Sequence, residues 1–492
     1  MSQDPYVRLG VRPFINCCGT RTVHGGSLML PEVVEAMNQA AQHFVNLTEL
    51  MLAAGRRIAL LTDAESALVT SGGAASLVAA TAGAITQGDP ERMLRLPDTA
   101  GLPHRVVMPA GARFTYDHAI RTTGAEVVEV ADRAAMAAAL RTGTALVATI
   151  GTKDAELPIR LEECVALAGP LGIPVLVDAA SEHLERHDPY LARGASFVAY
   201  SGGKYLKGPQ STGLLLGKRP WIEAARLNAS PHHAIGRPMK ISKEEVMGLL
   251  AAVEFWADGR DHKAEHARWT TDLETISALV RKVGTVTAEI IASSKAHEQV
   301  PKLRIAWDRE RIGVGGLDLR ELLLAHNPRI MLDDRGASDR SVFILPFNLG
   351  PGEAGIVGTA IAQALASAKP SPAAAVEPPA LDLTGLWEVA IAFAAETTPH
   401  RVRFRQSAAR LEGTHATLDL VGPLTGTIAG SHVAFASLHP YEGSNLSYAF
   451  SGTIADGRMA GTVLLGTSGD SAPGPLNMRE FGTASWTARR LA

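Results

Sequence analysis

Cysteine is scarce in this chain. Three cysteines in 492 residues (Cys17, Cys18 and Cys164) cannot build a disulfide framework. Cys17 and Cys18 are adjacent, with no further Cys or His at zinc-site spacing, and the His232-His233 pair has no third ligand placed by spacing, so no metal is expected. A reducing, cytoplasmic compartment fits this usage. Long hydrophobic runs are also missing. The longest, such as Ala74 to Ile85, are rich in alanine and glycine and too short to span a bilayer. Met1 to Asn16 carries Asp4, Arg8 and Arg12 and lacks the apolar stretch of a signal peptide. Neither sign of charge dominates: the net charge of -3 gives no reason to expect a nucleic-acid or anionic-membrane partner. Two nucleotide signatures are absent as well. No Gly-Lys-Ser/Thr follows the Gly72-Gly73 turn, as a Walker loop requires, and the Gly-x-Gly-x-x-Gly spacing of a dinucleotide site does not occur there.

What is present is a globular composition, 46% hydrophobic and 20% charged, in a length that suits two to four domains. From about residue 30 to 217, helical and strand-like patterns alternate. Pro31 opens a helix towards Phe44. Short apolar strands are expected at Ser66 to Thr70, Arg105 to Met108, Ala125 to Val130, Leu146 to Ile150, Val175 to Val177, Phe197 to Tyr200 and Gly213 to Leu216. That alternation indicates an α/β core with a parallel or mixed sheet covered on both faces. A long helical stretch from about Lys243 to Lys282 leads into a small α+β unit. Its expected strands are Lys302 to Trp307, Ile330 to Leu332 and Val342 to Leu345, followed by a helix from Glu353. A Pro/Ala-rich linker then intervenes, and beyond Leu381 helical periodicity gives way to strands punctuated by glycine. The expected divisions are 1–242 (N-terminal segment and large α/β domain), 243–368 (connecting helix and small α+β subdomain), 369–380 (linker) and 381–492 (an antiparallel β domain). Roughly eight strands in the last part fit a barrel or a sandwich equally, with Trp387 and Trp486 as core residues. No charged or nucleophilic cluster stands out there.

Three features in the large domain carry chemistry. Thr70-Ser71-Gly72-Gly73-Ala74 joins a strand to a helix. Its glycines let the backbone approach an anion, and the helix start supplies unpaired N–H groups, so Ser71, Gly72, Gly73 and Ala74 are candidate phosphate ligands. Close packing alone would also explain such a turn. Asp178 ends the apolar strand Val175-Leu176-Val177, where open α/β sheets bind ligands, although an aspartate there can equally cap a helix. Lys204, in Tyr200-Ser201-Gly202-Gly203-Lys204, sits among small residues that clear room beside its amine, which suits imine formation; the plain alternative is a surface lysine. The three occur in the order phosphate turn, strand-end acid, lysine, and Asp178 and Lys204 are one βαβ repeat apart.

This arrangement resembles the large domain of aspartate-aminotransferase-like (fold type I) enzymes of pyridoxal 5'-phosphate (PLP). Val177-Asp178-Ala179-Ala180, Ser201-Gly202-Gly203-Lys204, Gly208-Pro209-Gln210 and Gly236-Arg237-Pro238-Met239-Lys240 resemble the selenocysteine-synthase-related group, closest to D-glucosaminate-6-phosphate ammonia-lyase-like proteins. The resemblance covers about residues 5 to 367. It implies that Lys204 is the Schiff-base lysine and that Asp178 holds the protonated pyridine nitrogen. It further implies that Ser201, Gln210 and Thr212 are near the cofactor, the last two through a loop that can approach a neighbouring subunit's phosphate. His118 would stack on the ring, with Tyr116 or Phe114 as alternatives. Arg237 and Lys240 could hold a substrate carboxylate or phosphate, and Arg21 and His24 could line the pocket mouth, although solvated surface cations are the plainer reading. Selenocysteine synthase has an extra N-terminal domain for its tRNA. Here the core-like segment Phe14 to Thr20 begins almost at once, so the small-molecule branch is expected.

The implied activity is a PLP-dependent lyase: deprotonation at Cα and β-elimination with ammonia release, on a small amino acid or amino sugar acid, by a homodimer or larger homo-oligomer. Racemisation or aldol cleavage of a small amino acid shares the same first requirements. A non-catalytic PLP-fold protein working through a partner-binding β domain is the reading from another class.

Overall fold

The computed structural model describes residues 4–292, 300–370, 377–468 and 481–491. Within the expected linker, residues 371–376 lie outside the described residues.

Seven strands form the large sheet, in the spatial order Ser66–Thr70, Gly213–Gly217, Phe197–Ser201, Val175–Asp178, Thr144–Ile150, Arg105–Pro109, Glu126–Val130. Gly213–Gly217 runs antiparallel to both neighbours and every other pairing is parallel, so the sheet is mixed. Val147, Leu176, Val198 and Leu215 are fully buried, which explains why these strands read as unbroken apolar runs. The helix Gly72–Thr86 is buried from Ala75 onward. Its small residues allow close approach: a Cβ on Gly83 would lie 2.7 Å from the Ala225 nitrogen of the helix Arg219–Asn228.

The expected helix from Lys243 to Lys282 is two helices, Lys243–Asp258 and His262–Val280. Ser242 and Glu245 form a reciprocal cap at the first start, and Asp261 accepts from the Ala264 N–H at 2.9 Å to begin the second. The break at Gly259 to Asp261 thus has its own capping signal.

The second sheet has five strands in the order Phe14–Cys17, Arg329–Ser338, Ser341–Ile344, Lys302–Trp307, Val286–Ile291. Phe14–Cys17 was grouped by sequence with the large domain. It runs parallel to Arg329–Ser338 at the edge of this other sheet and buries Ile15 and Cys17 in the smaller core. Its hydrogen-bonding partner lies more than three hundred residues away, which local pattern cannot reveal.

The C-terminal region is a closed barrel of eight antiparallel strands. Closure is made by Gly385–Ala392 pairing with Gly482–Arg490, from Trp387 opposite Arg490 to Ala392 opposite Ser485. Alternation of buried and exposed side chains is the same in a barrel and a sandwich; only this first-to-last pairing separates them. Trp387 and Trp486 fill the interior. Among the described residues no helix is long and apolar enough to cross a membrane.

Candidate active site

Because Ser66–Thr70, Phe197–Ser201, Val175–Asp178, Thr144–Ile150 and Arg105–Pro109 point the same way, their C-terminal ends share one edge of the large sheet. Three chain segments converge there. Ser71 is the cap residue of the helix Gly72–Thr86, yet its side chain makes no cap hydrogen bond, so the first N–H groups of this helix face outward for an acceptor. Gly72, at φ +83°, turns the chain into the helix, and Ala74 is exposed. A Cβ on Gly73 would sit 3.6 Å from the Ala180 Cβ and 3.9 Å from the Ser201 Cβ. Gly73 therefore faces the gap between the loop after Asp178 and the strand end before Lys204.

Asp178 is buried at its strand end. Its Oδ1 accepts from the Ala180 N–H at 2.8 Å. Burial pushes its carboxyl above the usual range, against that hydrogen bond and the nearby positive charge of Lys204. Glycines ahead of Lys204 are required by crowding: a Cβ on Gly203 would lie 2.4 Å from the Gln210 Cα, and one on Gly202 2.0 Å from the Thr212 Oγ1.

The remaining candidates divide. Thr212 is buried, and its hydroxyl donates to the Pro209 carbonyl at 2.7 Å. Gln210 is also turned aside, its amide donating to the Thr22 carbonyl at 2.8 Å. With Ser27, which donates to the Gly203 carbonyl through both N–H and Oγ, it ties the N-terminal segment onto the lysine turn. Arg21 pairs with the buried Asp333 (2.7 Å) and with Asp334 of the small sheet. The ring of His24 stands edge-on to Phe14. His118 is exposed at the start of the short helix His118–Arg121, which packs on the helix Gly72–Thr86, while Phe114 is buried and Tyr116 exposed. Gly236 and Met239 line a narrow cavity with Thr70, Ser71 and Ala75, so the loop carrying Arg237 and Lys240 borders the phosphate turn.

Several groups in this neighbourhood escaped the sequence reading. Glu182 Oε2 accepts from the Tyr190 hydroxyl at 2.5 Å, whereas its Oε1 is buried without a hydrogen-bond partner. Burial raises its pKa to about 7 against the Tyr190 bond. The His183 ring packs on Tyr205, the residue after Lys204, at 4.2 Å between centroids. Its Nε2 is buried and unpartnered, and burial lowers its pKa to about 4. Asp188 accepts from the Tyr200 hydroxyl at 2.7 Å. A Ser-Glu-His run three residues past a strand-end Asp was the available signal.

The barrel holds a second polar cluster, contrary to the expectation of none. His400 Nδ1 lies 2.8 Å from His415 Nε2, and His415 Nδ1 lies 2.7 Å from Ser437 Oγ and 3.1 Å from His439 Nε2. All four residues are buried. Both nitrogens of His415 are used in this chain, and among the described residues no group of three or more His, Cys, Asp or Glu is arranged to hold a metal ion.

A cofactor with a phosphate, an aldehyde and a basic ring nitrogen fits the sheet edge. The uncapped helix start suits the phosphate, Lys204 the aldehyde, and Asp178, buried and held above the usual carboxylate range, gains a positive partner from a protonated ring nitrogen.

No protein-family model matches the chain. It is 30% identical to D-glucosaminate-6-phosphate ammonia lyase of Salmonella typhimurium (strain 14028s / SGSC 2262), across 66% of this chain and 87% of that protein. It is 31% identical to 5'-C-glycyluridine monooxygenase-decarboxylase of a Streptomyces species, across 67% and 84%. With L-seryl-tRNA(Sec) selenium transferase of Solidesulfovibrio magneticus it shares 27% identity across 72% and 82%. A solved structure of D-glucosaminate-6-phosphate ammonia-lyase superposes with a TM-score of 0.65 at 28% identity, covering 75% of this chain and 100% of its own.

Proposed function

The chain belongs to the fold type I PLP-dependent enzymes that include D-glucosaminate-6-phosphate ammonia lyase, and from that membership we propose an ammonia-releasing lyase acting on an amino sugar acid or small hydroxyamino acid. The observation that carries the reading is the convergence of the uncapped helix start at Gly72, the buried Asp178 and Lys204 on one sheet edge.

Bound PLP supplies an electron sink for negative charge developing at the substrate's Cα. Lys204 holds the cofactor aldehyde, and its amine is the base that takes the Cα proton. Asp178, oriented by the Ala180 N–H, keeps the ring nitrogen protonated. The N–H groups at Gly72, Gly73 and Ala74 receive the cofactor phosphate. Phe114, Tyr116 and His118 are the candidates for the ring face, and Arg237 and Lys240 for a carboxylate or phosphate of the substrate. Departure of a β-hydroxyl as water, then addition of water at Cα with loss of ammonia, converts a 2-amino-3-hydroxy acid into a 2-oxo-3-deoxy acid.

Assembly as at least a homodimer accompanies this reading. Val23, Leu28, Phe44 and Val45 form an exposed apolar succession in the N-terminal segment that Gln210 and Ser27 bind to the lysine turn. A cytoplasmic setting is supported by the scarcity of cysteine, three in 492 residues.

The test supplies amino acids and phosphorylated amino sugar acids and follows 2-oxo acid and ammonia together. Equal release of both supports the lyase. Oxygen uptake with carbon dioxide release would instead favour the chemistry named for the Streptomyces relative, and interconversion of enantiomers would favour a racemase.

A further inference from the structure

We propose that the barrel acts on the catalytic edge through the turn Glu442-Gly443, a positioning element that holds segment 113–121 in place. The inference rests on the reading of Phe114 to His118 as the border of the cofactor space.

The barrel touches the core at a defined point. Glu442 and Gly443 connect the strands His432–Tyr441 and Ser444–Ala455. Glu442 Oε2 accepts from Arg113 at 2.5 Å, and Arg113 also pairs with Asp117. Arg121 completes the group, 3.7 Å from Asp117 and 4.0 Å from Glu442. Two cations thus alternate with two anions. Arg113, Asp117 and Arg121 recur at four-residue intervals within one segment; the fourth charge comes from the barrel. The Arg113 hydrogen bond holds the Glu442 carboxyl below its usual range.

Two backbone features show that this contact is built rather than incidental. A Cβ on Gly443 would lie 2.4 Å from the Phe114 carbonyl oxygen and 2.5 Å from Asp117 Oδ2, so the turn reaches the segment only because residue 443 is glycine. Glu442 itself adopts φ +52°, a conformation that hairpin turns usually give to glycine or asparagine. A charged side chain occupies the position where glycine would be easier, with its carboxylate on Arg113.

The segment so held leads inward. Asp117 is buried and its N–H donates to the Phe114 carbonyl at 2.9 Å. The helix His118–Arg121 packs on the helix Gly72–Thr86, whose first turn is the proposed phosphate cradle. Loosening the segment alters the ring border without touching Lys204 or Asp178.

The experiment uses full-length protein with Glu442→Gly and Glu442→Gln. Glycine removes the carboxylate while easing the positive φ, so barrel unfolding should not fall; glutamine removes only the charge. In cofactor-free protein, amides of residues 113–121 should exchange faster than in the parent by about 3- to 10-fold, as loss of one charged hydrogen bond at a partly exposed site allows. In the loaded protein, circular dichroism of the bound cofactor should change and PLP should bind about 3- to 10-fold more weakly. Unchanged exchange and an unchanged cofactor signal in both variants overturn the proposal. A parent protein that binds no PLP defeats the reading of the site instead, and the exchange measurement still decides whether the turn holds the segment.

Discussion

A buried cluster of titratable side chains in the barrel and another at the edge of the large sheet are bonded in different ways. In the barrel, His400, His415, Ser437 and His439 bond one another in a chain of contacts between 2.7 and 3.2 Å, and His439 Nδ1 is buried outside that chain of bonds. Burial lowers the pKa of His400 to about 4 and of His415 to about 2, and also depresses His439. At the edge of the large sheet, Asp178, Glu182, His183 and Asp188 are likewise displaced by burial, and among the described residues Glu182 Oε1 and His183 Nε2 have no hydrogen-bond partner. The barrel groups are linked in one chain of bonds, whereas Glu182 and Asp188 each bond a separate tyrosine beside a lysine and an uncapped helix start, the setting in which we propose that a ligand completes the bonding.

The sharpest way to break this comparison is to remove a group from each side. Lys204→Ala should lower kcat/KM by about 10³-fold or more while thermal stability changes little, because both the cofactor anchor and the base are lost. Asp178→Asn should keep cofactor binding but lower turnover by about 10²-fold or more, since an amide cannot hold the ring proton electrostatically; steady-state kinetics beside a cofactor titration checks both. Near-normal turnover would reduce Asp178 to a turn residue.

On the barrel side the expected effect is on stability. Each histidine has a folded pKa below its unfolded value of roughly 6.5. The stability they confer is complete above that value and is lost as pH falls towards the folded values, on the order of 3 kcal/mol for His400 by pH 4. Residues 381–492 expressed alone should unfold cooperatively at pH 7, with a midpoint that drops steeply between pH 6.5 and 4. A fragment without strand circular dichroism would show that the barrel depends on the core.

Glu182 has the opposite sign and the smallest effect. Its folded pKa, about 7, exceeds the unfolded value, so its contribution is present below roughly pH 4.5 and is lost as pH rises through 7. Glu182→Gln should therefore gain stability over the parent at pH 8 but not at pH 4, by about 1 to 2 kcal/mol given partial exposure. Equal differences at both pH values would contradict the assigned burial.

The same contrast governs what could be read from sequence. Asp178 and Lys204 were legible because each follows its own apolar strand, and neighbouring parallel strands bring their ends together. The barrel histidines were not. His400, His415 and His439 lie on separate strands, each an ordinary inward position. Strand pairing sets His400 and His415 on neighbouring strands, and His439 reaches them across a strand where Gly422, opposite His415, leaves space: a Cβ there would lie 3.0 Å from His439 Nδ1. The ion pairs of Arg21 were also hidden, because its partners Asp333 and Asp334 arrive from the far end of the chain. The bond from Thr212 to its own turn was hidden locally, since a hydroxyl that closes a turn looks in sequence like one offered to a phosphate.

The central claim is that Lys204 carries the cofactor. Reduction of the PLP-loaded protein with borohydride, followed by peptide mapping, tests it directly. The account predicts one reduced adduct, on Lys204, and its loss in Lys204→Ala. An adduct on another lysine, or none on a protein that retains PLP, would contradict it.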